Sequence, residues 1–226
     1  MVNSSRIPEK EAAGVAVAKS LIDIGAINFR PTDPYKLTSG WASPVYIDCR
    51  KVIAHIKERR TIIEMAVKLI NLDIDNPIDM IAGGETAGIP YAAWISETLS
   101  KPMLYVRKQP KGFGRMAQIE GDMSQGSNVL LVEDLATDGG SKIKFIDALR
   151  QAGGKVTDLF VVFFYDSFPG ARENLAKAGV EIHYLCDWWN VLSVAESGKY
   201  FSEDEISGVR EFLNDPLAWS ANNGGK

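Results

Sequence analysis

Residues 129–141 constrain the fold more tightly than any other stretch of this chain. Val129, Leu130, Leu131 and Val132 form a short apolar run with β-branched ends, the signature of a strand buried on both faces of a parallel sheet. Glu133 and Asp134 follow at its carboxyl end, where open α/β sheets take their ligands, and adjacent carboxylates are costly to bury there unless they meet hydroxyls or a cation. Gly139 and Gly140 then allow a tight turn that exposes backbone N–H groups, and Lys142 to Leu149 reads as a helix whose N-terminus faces the same spot, a natural seat for an anion. One loop thus offers carboxylates and an anion cradle together, which suits a sugar phosphate such as ribose 5-phosphate.

The rest of the chain supplies the sheet around that strand. Short apolar runs at 78–82, 103–106, 129–132, 156–165 and 180–185 alternate with helical patterns at 8–25, 59–71, 91–99, 142–149, 169–178 and 202–213, which predicts an α/β fold with a doubly wound, mainly parallel sheet. At 226 residues a single domain is expected. Residues 26–29 and 34–40 read as short strand-like pieces broken by Pro31, Pro34 and Gly40, and the polar residues 220–226 as a disordered tail. No apolar run reaches the roughly 18 residues of a membrane span, and Met1 to Lys10 lacks the apolar stretch of a secretion signal. A net charge of −4 argues against a general attraction for nucleic acid. Cys49 and Cys186, only two and far apart, fit free thiols in a reducing cytoplasm. His183 and Cys186 fall on opposite faces of one predicted strand, so no zinc site is expected.

Residues 129–141 resemble the phosphoribosyl-pyrophosphate (PRPP) motif of the type I phosphoribosyltransferases, a hydrophobic strand, two acids and a Thr/Gly/Ser loop. The resemblance implies that Glu133 and Asp134 hold the ribose 2′- and 3′-hydroxyls, and that Ala136, Thr137, Asp138, Gly139, Gly140 and Ser141 hold the 5′-phosphate. A second resemblance covers Lys36 to Gly40 and Ser43 to Arg50, which is similar to the hood of the orotate phosphoribosyltransferases. It implies that Thr38, Ser39 and Tyr46, with Gly40 and Val45, lie near the pyrimidine; a lysine is common at the position of Thr38, and Lys36 is the nearby substitute. The run Arg107, Lys108, Lys111 and Arg115, broken by Pro110, Gly112 and Gly114, resembles the mobile loop (107–121) that closes over pyrophosphate in that family, commonly from the neighbouring subunit. Phe113 stands where a histidine is usual, and Arg115 is expected to replace its charge. In the turn Gly83 to Pro90 the family often has a lysine near Ala87, so residues 85–88 are assigned a backbone role. The basic residue usual after Asp166 is missing, and the nearest cation is Arg172.

These resemblances imply transfer of a phosphoribosyl group from PRPP to orotate, giving orotidine 5′-phosphate and pyrophosphate. Arg107, Lys108, Lys111 and Asp134 would serve the chemistry. Mg²⁺ would be held mainly by PRPP and water, with no direct protein ligand. A cytoplasmic homodimer with shared lids is expected, with no nucleic-acid or membrane partner. Two alternatives stay open: a purine or uracil as acceptor, or a non-catalytic regulator that senses PRPP.

Overall fold

The structure, a computed structural model, describes residues 6–37, 39–112, 118–137 and 139–226. Helix α1 (Arg6–Asp23) buries Val17, Ala18 and Leu21 and ends at Gly25, whose φ of 65° lets the chain reverse. Four short strands follow as a hood: β1 (Ile27–Phe29), β2 (Tyr35–Lys36), β3 (Ala42–Ser43) and β4 (Val45–Ile47). β1 pairs antiparallel with β4, and β2 with β3. A 3₁₀ turn (Cys49–Ala54) leads into α2 (Ile56–Asp73), then come β5 (Met80–Gly84), α3 (Gly88–Leu99), β6 (Met103–Val106) and β7 (Ile119–Glu120). The organising strand is β8 (Asn128–Ala136), followed by α4 (Gly140–Gln151), β9 (Lys155–Phe164), α5 (Ala171–Lys177) and β10 (Glu181–Cys186). Three helices close the chain: α6 (Trp188–Ser197), α7 (Glu203–Asn214) and α8 (Pro216–Asn222).

The main sheet has the order β10-β9-β8-β5-β6-β7, parallel throughout except for β7. One apolar core gathers α1, α2, α3, α6, α7 and the hood on one face; α4 and α5 cover the other. This is the predicted doubly wound arrangement. From β5 the chain winds outward through β6; from β8 it winds the other way through β9 and β10. The order therefore reverses between β5 and β8, where their carboxyl ends open a crevice.

β8 outruns the sequence expectation of 129–132. Past the end of β5 it stays paired with β9, Glu133 with Val161 and Ala136 with Phe164, so both acids stand on a strand anchored along one edge only. Two hydrogen bonds fix the hood over this crevice: Tyr165 OH donates to the Val45 carbonyl at 2.6 Å and Tyr91 OH to the Cys49 carbonyl at 2.7 Å. Residues 220–226, expected to lack fixed structure, instead brace the hood. Ser220 is buried and accepts from Ala42 N at 2.9 Å, while Lys226 N donates to the Gly40 carbonyl at 3.1 Å. Polar composition hid this, because main-chain bonds rather than apolar side chains hold the segment.

Candidate functional site

The crevice is a cavity of about 780 Å³ lined by several parts of the chain, among them Lys108, Gln109 and Gln118 between β6 and β7, and Tyr165 after β9. Asp134 and Thr137 come from β8 and its loop, and Ser141, Lys142 and Lys144 from α4; Glu85, Thr86 and Ala87 follow β5, and Leu37, Tyr46, Asp48 and Arg50 come from the hood.

Adjacent residues of a strand face opposite ways, and this separates the two acids. Glu133 turns toward α4 and α3: its Oε2 accepts from Lys142 Nζ at 2.5 Å, and its Oε1 is buried with no hydrogen-bond partner. The carboxylate fits only because two of its neighbours are glycines. A Cβ on Gly84 would collide with Oε1, and one on Gly88 would lie 2.6 Å from it. Burial pushes the Glu133 carboxyl up from its ordinary value, against the pull of Lys142. Asp134 faces the hood side, and among the described residues no cation lies within ion-pair distance of it. Burial raises its carboxyl too, with Lys142 opposing the shift most strongly. Both acids line the crevice, but Asp134 is the one without an ion-pair partner, while Glu133 is committed to Lys142.

The phosphate loop behaves as a bare helix start. Gly139 is the N-cap of α4 in the left-handed region (φ 77°) and has no side chain to cap with. Thr137 and Ser141 line the cavity, whereas Ala136 is buried and its carbonyl accepts from Tyr165 N at 2.9 Å. Asp138 lies outside the described residues. At α3 the N-cap is Ala87, again without a side-chain acceptor, so two helix N-termini meet one crevice. The residues assigned only a backbone role there include one that does more: Glu85 Oε2 accepts from Lys108 N at 2.7 Å, pinning the start of the lid to the turn after β5.

The segment expected to form a lid leaves the β6–β7 ribbon where Arg107 N donates to the Gln118 carbonyl at 2.8 Å. Of its cations, Lys108 lines the cavity. Arg107 instead donates to Glu120 at 3.2 Å, and Lys111, 74% exposed, lies 4.0 Å from the same carboxylate. Phe113 and Arg115 fall outside the described residues. In the hood, Tyr46 reaches the cavity, and Val45 is buried beneath it. Ser39 is exposed away from it, Thr38 is not described, and Lys36 Nζ is bound to the Asn223 carbonyl at 2.5 Å. Arg172 is also elsewhere, gripping Asp166 through Nε (2.9 Å) and Nη2 (2.5 Å). The residues that sequence reasoning left without a role are Arg50, Lys142 and Lys144, all cations on the cavity wall. For Lys142 the signal was its spacing, since the first turn of a helix beginning at Gly140 lies beside the end of β8.

Among the described residues, one group could hold a metal between three side chains: Asp158, Glu181 and His183, within 4.8 Å of one another. Cys186 is not in this group, and His183 Nε2 lies 2.9 Å from Asp158 Oδ1. These three stand on β9 and β10, and none of them lines the cavity.

A parallel sheet with an acid doublet and a bare phosphate turn at its switch point defines a phosphoribosyltransferase, and the phosphoribosyl transferase domain family matches residues 51–194. Orotate phosphoribosyltransferase of Sinorhizobium fredii is 51% identical over 223 residues, covering 98% of this chain and 96% of that protein. The crystal structure of the Aeropyrum pernix orotate phosphoribosyltransferase superposes with a TM-score of 0.70 at 32% identity, covering 80% of this chain and 99% of that one. The structure of Leishmania donovani UMP synthase matches with a TM-score of 0.77 at 28% identity, over 90% of this chain but 43% of that larger one. The chain belongs to the orotate phosphoribosyltransferase family.

Proposed function

We infer that the chain catalyses the reaction for which its family is named, transfer of the phosphoribosyl group of PRPP to orotate, giving orotidine 5′-phosphate and pyrophosphate in pyrimidine biosynthesis. One observation carries this reading: the Asp134 carboxylate and the uncapped start of α4 open into one cavity, spaced along a single loop as a sugar's hydroxyls and its 5′-phosphate require. Breaking the bond at ribose C1 builds positive charge on the sugar and negative charge on the departing pyrophosphate. Asp134 fixes the ribose in line and its charge favours the cationic sugar. The amides of residues 86–89 and the Lys108 side chain face the leaving group. Orotate loses its N1 proton readily, so the site needs no strong general base.

Mg²⁺ fits this donor set as an ion shared with the substrate: Asp134, which has no ion-pair partner among the described residues, would face it across the bound ribose. When bound, the ion neutralises pyrophosphate oxygens. Lys111, exposed and turned from its own cavity, suits a homodimer in which each lid serves the partner. Free, buried Cys49 and Cys186 favour a cytoplasmic setting.

The test is loss of orotate absorbance with PRPP and Mg²⁺. Turnover of hypoxanthine or uracil in its place would overturn the acceptor, and PRPP binding without any turnover would mark a sensor. Lid sharing is checked by mixing Lys111→Ala with Asp134→Asn protein. Lys111→Ala alone should be slowed on the order of 10²-fold and Asp134→Asn alone about 10³-fold, and mixed dimers should recover activity through the one intact composite site. No recovery means each lid closes its own subunit.

A further inference from the structure

The orotate reading sets a chemical demand of its own. Orotate carries a carboxylate on the ring carbon next to N1, the atom that joins ribose C1. In the bound substrate that anion lies beside the sugar, between the ribose acid and the face that covers the base, and an anion there is costly without a cation. Neither expected cation is available: Arg172 is held by Asp166 outside the cavity, and Lys36 is held by the Asn223 carbonyl. Among the described residues four cations line the cavity: Arg50, Lys108, Lys142 and Lys144. Lys142 is committed to buried Glu133. Lys144 stands on α4, the helix that faces the 5′-phosphate. Lys108 is pinned by its own N–H to Glu85, beside the pyrophosphate turn.

Resting on the orotate reading, we infer that Arg50 binds the orotate carboxylate and so makes this site select a carboxylated pyrimidine over a plain one. Arg50 lies three residues beyond the hood strand that presents Tyr46, and the two line one cavity with Asp134, so a base against Tyr46 with its ribose on Asp134 brings the carboxylate to the wall that carries Arg50. Its main chain is rigid: the neighbouring Cys49 is buried, with its carbonyl on Tyr91 OH at 2.7 Å. Its side chain is aimed. Asp48 Oδ1 accepts from Arg50 Nε at 2.6 Å and from Arg50 N at 3.1 Å, occupying the inner edge of the guanidinium. The outer edge, Nη1 and Nη2, is the two-pronged donor that matches a carboxylate, on a side chain still 62% exposed. Asp48 is thus a positioning residue, set where it orients the fork rather than blocking it.

The test compares two ligands that differ only in this group, orotidine 5′-phosphate and uridine 5′-phosphate, by calorimetry on the full chain. Wild type should prefer the carboxylated nucleotide on the order of 100-fold, as a desolvated charged pair commands. Arg50→Gln should shrink that preference to about threefold while leaving ribose 5-phosphate affinity near wild type, and Arg50→Lys, which keeps the charge but loses the fork, should fall between. A preference retained in Arg50→Gln overturns the assignment, as does a wild type that turns over orotate yet fails to distinguish the nucleotides. If circular dichroism shows Arg50→Gln unfolded, Arg50→Lys carries the test, and an undiminished preference there is equally fatal. A wild type that neither turns over orotate nor prefers its nucleotide refutes the acceptor reading instead.

Discussion

The helices at the crevice and those at the end of the chain begin in opposite ways. α6, α7 and α8 are each capped by a side chain: Asp187 accepts from Trp189 N and Asn190 N, Ser202 from Glu205 N, and Asp215 from Ala218 N. The first turn of α7 adds three acids, Glu203, Asp204 and Glu205, which the positive end of a helix favours. α3 and α4 start on Ala87 and Gly139, which have no acceptor to give, with no acid in either first turn; α4 carries Lys142 there, against its own dipole. α2 also starts without a side-chain cap, but on exposed Ile56, where water can serve. α5, away from the cavity, starts on Gly170 with no side-chain cap either. The contrast is therefore between the three capped C-terminal helices and the two helix starts at the crevice, whose amides are left open at the wall of the cavity.

Four substitutions probe that contrast, in order of expected effect. Asp134→Asn should lower kcat/KM by about 10³-fold, because the ribose loses its charged partner, yet raise the melting temperature of the ligand-free protein. The sign follows from burial, which holds the folded carboxyl above its unfolded value. The wild-type acid therefore contributes its full stability only below the ordinary carboxylate range and loses it as pH rises through the raised value. The melting advantage of the asparagine variant should vanish near about pH 3 and widen toward neutrality. Lys142→Met leaves Glu133 buried beside Gly84 and Gly88 without its partner and should cost about 3 kcal/mol of stability in neutral chemical denaturation. Ser141→Asp places an acid in the first turn of α4; PRPP affinity should drop about 100-fold by repulsion at the phosphate, while the free protein holds or gains a few tenths of a kcal/mol. Ser202→Ala, at the capped α7, should cost about 1 kcal/mol and leave PRPP kinetics unchanged. If Ser141→Asp and Ser202→Ala behaved alike, the contrast between the two sets of helices would be spurious.

The parts legible in the sequence were those with local causes. The apolar run of β8, the acids after it and the glycine turn each declare themselves within a few residues, and the alternation of strands and helices gave the sheet. What escaped depends on partners distant in the chain. Glu133 reads as one of two like acids, and only the fold brings Gly84 and Gly88 around it and Lys142 onto it. Arg107 reads as a lid cation until the β6–β7 ribbon sets Glu120 opposite. Arg50 stood in the hood motif, but only the fold shows that it lines the cavity. The start of α8 was locally marked, by Asp215 and Pro216, and was obscured by the polar residues that follow.

The central claim is that the bare start of α4 and the acid at the end of β8 hold the two ends of one sugar phosphate. Amide NMR during titration with ribose 5-phosphate tests it most directly. Saturable shifts are expected at residues 134 and 139–142, with none at the capped start of α7 around 203–206. Saturation of the protein with those crevice amides unmoved would contradict it.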